Sequence, residues 1–261
     1  MSAYNYYESL GGIAIMVEVK ILGISGSPRH GNTEILVKEA LKAAKELSGV
    51  TTEIISLADV RIDGGCKADY ACWRKPEEAK CFSYKDDVNS IFRKMMEADG
   101  IIIGSPVYWG SIPAQLKCLF DRSMPVEIDF RLRNKVGGAI AVAVERHGGH
   151  EGTVADIHRW FLIHDMIICG VGPERPKKTL GGHYGAMALQ GYPYPVHSNE
   201  PGDDTAVLQD DIGMAATRFL GKRVTELAKV VKAGLAGVSD SEMGWPKGPV
   251  HWESLETTRR H

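Results

Sequence analysis

Short apolar segments alternate with segments whose apolar residues recur every three or four positions, and this alternation constrains the fold more than any other feature of the chain. The clearest unit comprises residues 20–25, a turn rich in Gly, Ser and Pro, and a helical segment with Leu36, Val37 and Ala40 on one face. Strands that alternate with helices build a parallel sheet covered by those helices. The sequence therefore predicts an α/β fold with a doubly wound, five-stranded parallel sheet and helices on both faces.

The predicted elements can be assigned along most of the chain. Strands are predicted at residues 20–25, 52–57, 100–104, 138–144 and 166–169. Helices are predicted after the first strand, from about residue 86, and at residues 114–122, 153–164 and 211–233. The remaining long segments are predicted to be a loop rich in Gly, Pro and Tyr and an irregular tail, at residues 172–204 and 234–261. In such a sheet the ligand lies beyond the carboxyl ends of the strands, so the functional residues are expected in the loops that follow them.

Composition limits the classes of function. Of the 261 residues, 44% are hydrophobic and 25% are charged, as in globular proteins, and no run approaches the ~20 apolar residues of a membrane-spanning helix. A formal net charge of −2 offers no basic surface for nucleic acid or an anionic membrane, so small-molecule partners are expected. Residues 1–16 lack the pattern of a signal peptide, which predicts a cytoplasmic location. Five cysteines, an odd number, indicate thiols that stay reduced.

The loop after the first predicted strand has the composition of a phosphate-binding turn. Residues 26–33 read Gly-Ser-Pro-Arg-His-Gly-Asn-Thr, and small residues allow backbone N–H groups to converge on an oxyanion at the start of a helix. The pattern is neither a Walker loop nor the Gly-x-Gly-x-x-Gly turn. The candidate binding residues are Ser25, Ser27, Pro28, Arg29, Asn32 and Thr33. The alternative is an ordinary strand-to-helix turn in which Asn32 or Thr33 caps the helix.

Two motifs together carry a resemblance to a known family. Residues 26–33 are followed by residues 98–117, Ala-Asp-Gly-Ile-Ile-Ile-Gly-Ser-Pro-Val-Tyr-Trp-Gly-Ser-Ile-Pro-Ala-Gln-Leu-Lys, and then by Asp121-Arg122. In this order they resemble the flavodoxin-like NAD(P)H-dependent FMN reductases, and within that superfamily most of all the iron–sulfur flavoproteins. The resemblance implies a flavodoxin-like, FMN-binding domain at residues 17–233, with NAD(P)H as a candidate hydride donor.

The resemblance assigns two further loops to the flavin. The loop after the third predicted strand would line the flavin ring with flat side chains and exposed amides, from Pro106, Val107, Tyr108, Trp109, Gly110 and Ser111. The loop after the fourth would contact the other side of the flavin through Arg146, His147, Gly148 and Gly149. One alternative is that Tyr108 and Trp109 merely cap the core. A metal site at His147 and His150 is not the first choice, because no third ligand accompanies them.

The loop at residues 58–85 carries three cysteines. In the iron–sulfur flavoproteins this loop holds a compact group of four cysteines that ligate a [4Fe–4S] cluster. Cys66, Cys72 and Cys81 match the first, third and fourth of these, whereas Asp69 stands in place of the second. The open alternatives are a [4Fe–4S] cluster with Asp69 as a ligand, a [3Fe–4S] or labile cluster on three thiolates, a zinc site, and a loop without metal. The other cysteines are predicted to be buried packing residues, Cys118 and Cys169.

The resemblance implies an FMN-dependent oxidoreductase that passes electrons between a reduced donor, FMN and an iron–sulfur cluster. No side chain is predicted to act as a catalytic acid, base or nucleophile, because the flavin carries the chemistry. The expected partners are a small-molecule or redox-protein donor and acceptor, and the chain is expected to form a homodimer or homotetramer. Two alternatives stay open: a clusterless NAD(P)H:quinone or nitro-compound reductase, and a non-catalytic electron carrier of the flavodoxin type.

Overall fold

One parallel sheet forms the centre of the fold. The structure is a computed structural model that describes residues 16–171, 182–190 and 205–243. Within these residues the sheet contains β1 (Val19–Ser25), β2 (Val50–Ser56), β3 (Gly100–Pro106), β4 (Val136–Ala143), β5 (Ile167–Cys169) and β6 (Ala186–Leu189). The order is β2-β1-β3-β4-β5, with β6 also paired to β4, and every pairing is parallel. The predicted doubly wound α/β fold is confirmed.

Two short strands share the position beside β4. β5 pairs with residues 136–138 of β4, and β6 pairs with residues 140–143. The prediction of a loop through residues 172–204 is therefore wrong at β6. Ala186–Leu189 is a four-residue apolar segment, and it takes up backbone groups of β4 that would otherwise remain unpaired. Residues 172–181 and 191–204 of that predicted loop lie outside the described residues.

Helices cover both faces of the sheet. They are α1 (Asn32–Ala44), α2 (Val88–Glu97), α3 (Ala114–Asp121), α4 (Met124–Glu127), α5 (His150–Ile163) and α6 (Asp211–Gly237). On one face α1 and α6 pack over Ile21, where Leu220 is fully buried. On the other face α2, α3 and α5 pack over Leu22, where Phe92 and Phe161 are fully buried. Each such side chain contributes about 1.5–3 kcal/mol of burial free energy, so two cores hold the sheet in place.

Two helices depart from their predicted limits. α5 begins at His150 rather than at residue 153, because Gly149 adopts a φ of 103° and the His150 ring hydrogen-bonds to the carbonyl of Ala188 at 2.9 Å. α6 continues to Gly237, past the predicted start of the tail at residue 234, since one exposed glycine costs only about 1 kcal/mol in a long helix. Residues 244–261 of the tail lie outside the described residues. None of the helices described here has the length and apolar character required to cross a membrane.

Candidate functional site

The carboxyl ends of β1, β3 and β4 lie side by side at one edge of the sheet. Ser25 of β1 is level with Gly104 of β3, and Pro106 of β3 is level with Val142 of β4. The segments that follow these strands enclose a cavity of about 410 Å³, which we call the strand-end cavity. Its volume lies within the range of roughly 300–1,000 Å³ that is typical of small-molecule sites.

Three segments line the strand-end cavity. The loop after β1 and the first turn of α1 contribute Ser27, Arg29, His30, Asn32 and Thr33. The loop after β3 contributes Pro106, Val107, Tyr108 and Trp109. The ends of β4 and β6 contribute Val142, Ala143, Val144 and Gln190. The fold thus brings the predicted phosphate loop and the predicted ring loop to one cavity.

A serine hydroxyl organises the loop between β1 and α1. Ser27 Oγ donates to the carbonyl of Arg29 at 2.7 Å and accepts from the Arg29 N–H at 3.2 Å. Gly31 precedes α1 and provides no side-chain cap. The carboxamide oxygen of Asn32 instead accepts from the backbone N–H of Val207 at 2.9 Å. The alternative in which Asn32 or Thr33 caps the helix is therefore not what forms, and the amino end of α1 keeps its preference for an anion.

Ser25 is the last residue of β1 and lies at the carboxyl end of that strand. Its hydroxyl is fully buried and has no hydrogen-bond partner among the described residues. An unsatisfied buried hydroxyl costs about 1–3 kcal/mol, so a native structure normally supplies a partner from a ligand or water. A buried hydroxyl without a partner and a helix start without a side-chain cap are both groups that suit a phosphate, although Ser25 does not line the strand-end cavity.

The His30 ring in the same loop is held between two carboxylates. Its Nδ1 lies 2.6 Å from Glu34 Oε2, and its Nε2 lies 3.0 Å from Asp59 Oδ1. The hydrogen bond with Glu34 and the charges of both carboxylates raise the pKa of His30. Burial alone would raise the pKa of Glu34, but hydrogen bonds from Lys38, His30 and Ser56 lower it to about 2. Sequence reasoning missed His30 because it occupies the variable position of the motif.

The loop after β3 presents two aromatic side chains at the cavity. Tyr108 and Ser111 exchange backbone hydrogen bonds of 2.8 and 3.1 Å, which closes a tight turn with Trp109 and Gly110 at its tip. Trp109 has a φ of 52° and its side chain is fully exposed. A non-glycine residue in this region costs about 1–2 kcal/mol. The Ser111 hydroxyl donates to Asp156 of α5, which ties the turn to the scaffold. The alternative in which Trp109 caps the core is wrong.

The loop after β4 contacts the turn after β3 through Gly149, and its residues 146–149 do not line the strand-end cavity. Arg146 and His147 are exposed, and a Cβ placed at Gly149 would lie 2.8 Å from the Cα of Gly110. Gly149 therefore allows close contact between the two loops. His150 is buried and bonded to β6 through a carbonyl, so the structure does not bring it together with His147 as a metal pair. Of the earlier candidates, those outside the cavity lining are Ser25, Pro28, Gly110, Ser111, Arg146, His147, Gly148 and Gly149.

Gln190 enters the strand-end cavity from a segment that was predicted to be a loop. Its N–H donates to the carbonyl of Ala143 at 2.8 Å, which continues the pairing of β6 with β4. Asp210 holds β6 by accepting from the Leu189 N–H at 2.6 Å, and it also caps α6 by accepting from Gly213 N at 3.0 Å. The apolar run that precedes Gln190 was the signal that could have revealed this strand and the residue at its end.

A second cavity, of about 250 Å³, lies under the loop between β2 and α2, and we call it the cysteine cavity. All four candidate ligands line it: Cys66, Asp69, Cys72 and Cys81. Burial raises the pKa of the Cys72 thiol, and the charges of Cys81 and Cys66 act in the same direction. The three sulfurs are therefore electrostatic neighbours. Thiolates are the donors that iron–sulfur clusters take, so the three cysteines are of the chemical type that such a cluster requires.

Asp69 is held in place by groups of its own loop. Its Oδ1 accepts from the Ala71 N–H at 3.0 Å and its Oδ2 accepts from the Ser83 hydroxyl at 3.0 Å. The hydrogen bond from Ala71, followed by that from Ser83, lowers the pKa of Asp69.

Arg122, directly after α3, anchors the loop between β2 and α2. Its guanidinium makes two hydrogen bonds to the Asp86 carboxylate, of 2.5 and 2.9 Å, and both side chains are fully buried. Its Nε–H donates to Cys81 Sγ at 3.2 Å. Burial alone would raise the pKa of Asp86, but the hydrogen bonds and charge of Arg122 keep it below its ordinary value. This ion pair was not predicted, although Asp121-Arg122 belongs to the motif.

The other cysteines differ from each other. Cys169 is buried as predicted, and burial raises the pKa of its thiol to about 11. Cys118 is half-buried rather than buried, and a Cβ placed at Gly65 would lie 3.9 Å from its sulfur. In the described part of the chain no three His, Cys, Asp or Glu side chains are placed to hold a metal ion.

Comparisons with known proteins agree with this architecture. The sequence profile of the family described as NADPH-dependent FMN reductase matches residues 19–172. An iron–sulfur flavoprotein of Methanocaldococcus jannaschii is 49% identical over 215 residues, which cover 82% of this chain and 100% of the relative. An NAD(P)H dehydrogenase (quinone) of Chromohalobacter salexigens is 25% identical over 218 residues, which cover 80% of this chain and 94% of the relative.

Structural similarity leads to the same fold. RosB, solved with bound 8-demethyl-8-formylriboflavin-5'-phosphate, superposes with a TM-score of 0.61 at 17% identity and covers 93% of this chain and 86% of its own. The fold and the loops at the sheet edge define a flavodoxin-like, flavin-dependent oxidoreductase. The chain belongs to the NADPH-dependent FMN reductase family.

Proposed function

We propose that this chain passes electrons between a reduced donor, FMN bound in the strand-end cavity and an iron–sulfur cluster bound in the cysteine cavity. The observation that carries the cluster is that three cysteines and Asp69 line one cavity, next to a buried guanidinium. The iron–sulfur flavoprotein that is 49% identical over its whole length supports the same assignment.

In the strand-end cavity the chain would bind and orient FMN. The amino end of α1, the Ser25 hydroxyl and the loop of Ser27, Pro28, Arg29, Asn32 and Thr33 would hold the phosphate. The loop from Pro106 to Ser111 would support the ring, and Arg146 to Gly149 would brace that loop from behind. Bound FMN exchanges electron pairs with hydride donors such as NAD(P)H and single electrons with one-electron partners. The role we assign to the protein is positioning, with no catalytic side chain.

In the cysteine cavity Cys66, Cys72 and Cys81 would be the thiolate ligands and Asp69 the fourth. A carboxylate is a harder ligand than a thiolate and binds iron more weakly, so the site would hold a [4Fe–4S] cluster with one exchangeable corner, or a [3Fe–4S] cluster.

The decisive experiment is an iron and acid-labile sulfide determination on anaerobically purified protein, with a UV–visible spectrum. The wild type is expected to contain both cofactors, and Asp69→Cys is expected to retain its iron longer because a thiolate replaces the weaker ligand. Cys118→Ser is the matched control: its thiol lies beside the loop, and its replacement is expected to leave the iron content unchanged. Protein without iron, or loss of iron in Asp69→Cys, contradicts the ligand assignment.

The second candidate function is a clusterless NAD(P)H:quinone reductase. The quinone dehydrogenase from C. salexigens and the internal hydrogen bonds of Asp69 favour it. Assays of NAD(P)H oxidation with quinone, oxygen or ferredoxin separate the candidates: iron-free protein that reduces quinone supports the reductase. Reduction that only a redox protein sustains supports the third candidate, a flavodoxin-type electron carrier.

We further propose a homodimer or homotetramer with residues 17–233 as the flavin-binding domain, testable by light scattering on the holoprotein. The cytoplasm is the compartment we propose, because thiols such as Cys66 stay reduced there.

A further inference from the structure

Arg122 is a fully buried cation that lies outside the strand-end cavity. Its guanidinium uses two N–H groups on the Asp86 carboxylate, and a weaker contact of 3.5 Å reaches the carbonyl of Gly64. Its guanidinium carbon lies 4.8 Å from the centre of the Tyr84 ring. The side chain therefore connects the end of α3 to Gly64, Tyr84 and Asp86, which all lie in the loop between β2 and α2.

The remaining polar contact of Arg122 is with sulfur. The Nε–H donates to Cys81 Sγ at 3.2 Å, and both atoms belong to buried residues. Burying a guanidinium is costly unless every partner is well placed, and an ion pair with Asp86 alone would satisfy its charge. An additional N–H directed at a thiol is the arrangement by which proteins tune metal-bound sulfur.

A second cation contacts the same aromatic ring of this loop. The Lys67 ammonium is 4.1 Å from the centre of the same Tyr84 ring, and it donates to the carbonyl of Ser83 at 3.2 Å. Tyr84 thus links a cation next to Cys66 in sequence with the cation that contacts Cys81. The charge of Lys67 also acts on Asp69, where it lowers the pKa.

We propose that Arg122 is a positioning residue for the cluster: its Nε–H fixes Cys81 Sγ as a ligand, and its charge stabilises the reduced cluster. This inference rests on the cluster proposed above. A cluster held by thiolates and a carboxylate carries net negative charge and gains a further electron on reduction. An N–H and a positive charge next to one sulfur therefore favour the reduced form, and the Asp86 pair keeps them in place.

The test compares Arg122→Gln, Arg122→Lys and the charge-balanced double variant Arg122→Gln/Asp86→Asn. Two properties of reconstituted protein are measured: the rate of iron loss to a chelator, and the midpoint potential of the cluster from a spectroelectrochemical titration. Asp86→Asn is included because it removes the negative charge of the pair and keeps Arg122, so it separates loss of the ion pair from loss of the positive charge. FMN titration and circular dichroism check the fold of each variant.

Arg122→Gln is expected to lose iron roughly 10–100-fold faster, the usual effect of removing a group that orients a metal ligand. Its midpoint potential is expected to become more negative. Arg122→Lys retains the charge but not the fork geometry, so it is expected to lose iron faster with a potential nearer that of the wild type. Asp86→Asn is expected not to shift the potential in the negative direction.

The double variant decides the outcome if Arg122→Gln fails to fold, because it leaves no unpaired charge. A folded double variant that loses iron at the rate of the wild type overturns the positioning role of Arg122 while leaving the cluster in place. Its potential does not test the charge of Arg122, because the charge of Asp86 is removed with it. Wild-type protein that takes up no iron and sulfide on anaerobic reconstitution removes the cluster and this inference together. The iron content of the wild type thus distinguishes the two failures.

Discussion

The strand-end cavity and the cysteine cavity are built from different parts of the molecule. The first lies between the ends of β1, β3 and β4, whose register is set by backbone hydrogen bonds and two packed cores. The second lies under a loop with only two single-turn helices, where side chains supply the order. Its main anchor is the buried pair of Arg122 and Asp86.

This difference determines how each site can fail. A site at strand ends moves only if the sheet moves, so single substitutions are expected to weaken it gradually. A site that depends on one buried ion pair loses much of its order when either partner is removed. The predictions that follow test this contrast in order of decreasing effect.

The largest effect is expected from Asp86→Ala, which leaves the buried guanidinium of Arg122 without its carboxylate. We expect the free energy of unfolding to fall by roughly 3–5 kcal/mol, measured by urea denaturation of the holoprotein. The double variant Asp86→Leu/Arg122→Met removes both charges, and its free energy of unfolding is expected to fall much less. If Asp86→Ala lowers the free energy of unfolding by less than about 1 kcal/mol, other contacts stabilise the loop as strongly as this ion pair.

An acid titration probes the side-chain cluster of Glu34, His30 and Ser56 beside the strand-end cavity. The folded pKa of Glu34 is about 2, below its ordinary value of 4.5, so its contribution to stability is present above pH 4.5 and is lost as the pH falls towards 2. Because Glu34 is nearly buried, that contribution is on the order of 3 kcal/mol.

The measurement is the free energy of unfolding of the wild type and Glu34→Gln between pH 7 and pH 2 at constant ionic strength. The variant is expected to be less stable at pH 7, and the two curves are expected to converge as the pH falls. Parallel curves would mean that Lys38, His30 and Ser56 do not stabilise the ionised carboxylate.

The smallest effect is expected in the loops of the strand-end cavity, from Gly149→Ala compared with Gly110→Ala. Both glycines have positive φ, 103° and 80°, so both variants share a backbone cost of about 1–2 kcal/mol. A Cβ at Gly149 also meets Gly110 Cα at 2.8 Å, whereas a Cβ at Gly110 has open space. Overpacking adds about 1–3 kcal/mol, so Gly149→Ala is expected to weaken FMN binding further than Gly110→Ala, as measured by fluorescence titration. Equal affinities would mean that the contact between the loops does not position the turn.

Local sequence patterns were sufficient to predict most of the strands and helices and parts of both sites. Apolar runs such as residues 100–104 predicted β3, and small residues at 26–33 predicted the loop before α1. β6 was missed because its four residues lie in a segment dominated by Gly, Pro and Tyr, and a strand this short is stabilised by its partner rather than by its own pattern. Gln190 was missed with it.

The sequence alone determines the alternation of strand and helix segments, the order of the loops, and the donor types at Cys66, Cys72 and Cys81. Each of these depends on residues close together in the chain. Tertiary structure decided which distant groups meet: Arg122 with Cys81, Asn32 with the N–H of Val207, and Gln190 with the strand-end cavity. Such contacts join residues that are far apart in sequence, and no local periodicity records them. They form only when the sheet register and the two cores have brought their elements together.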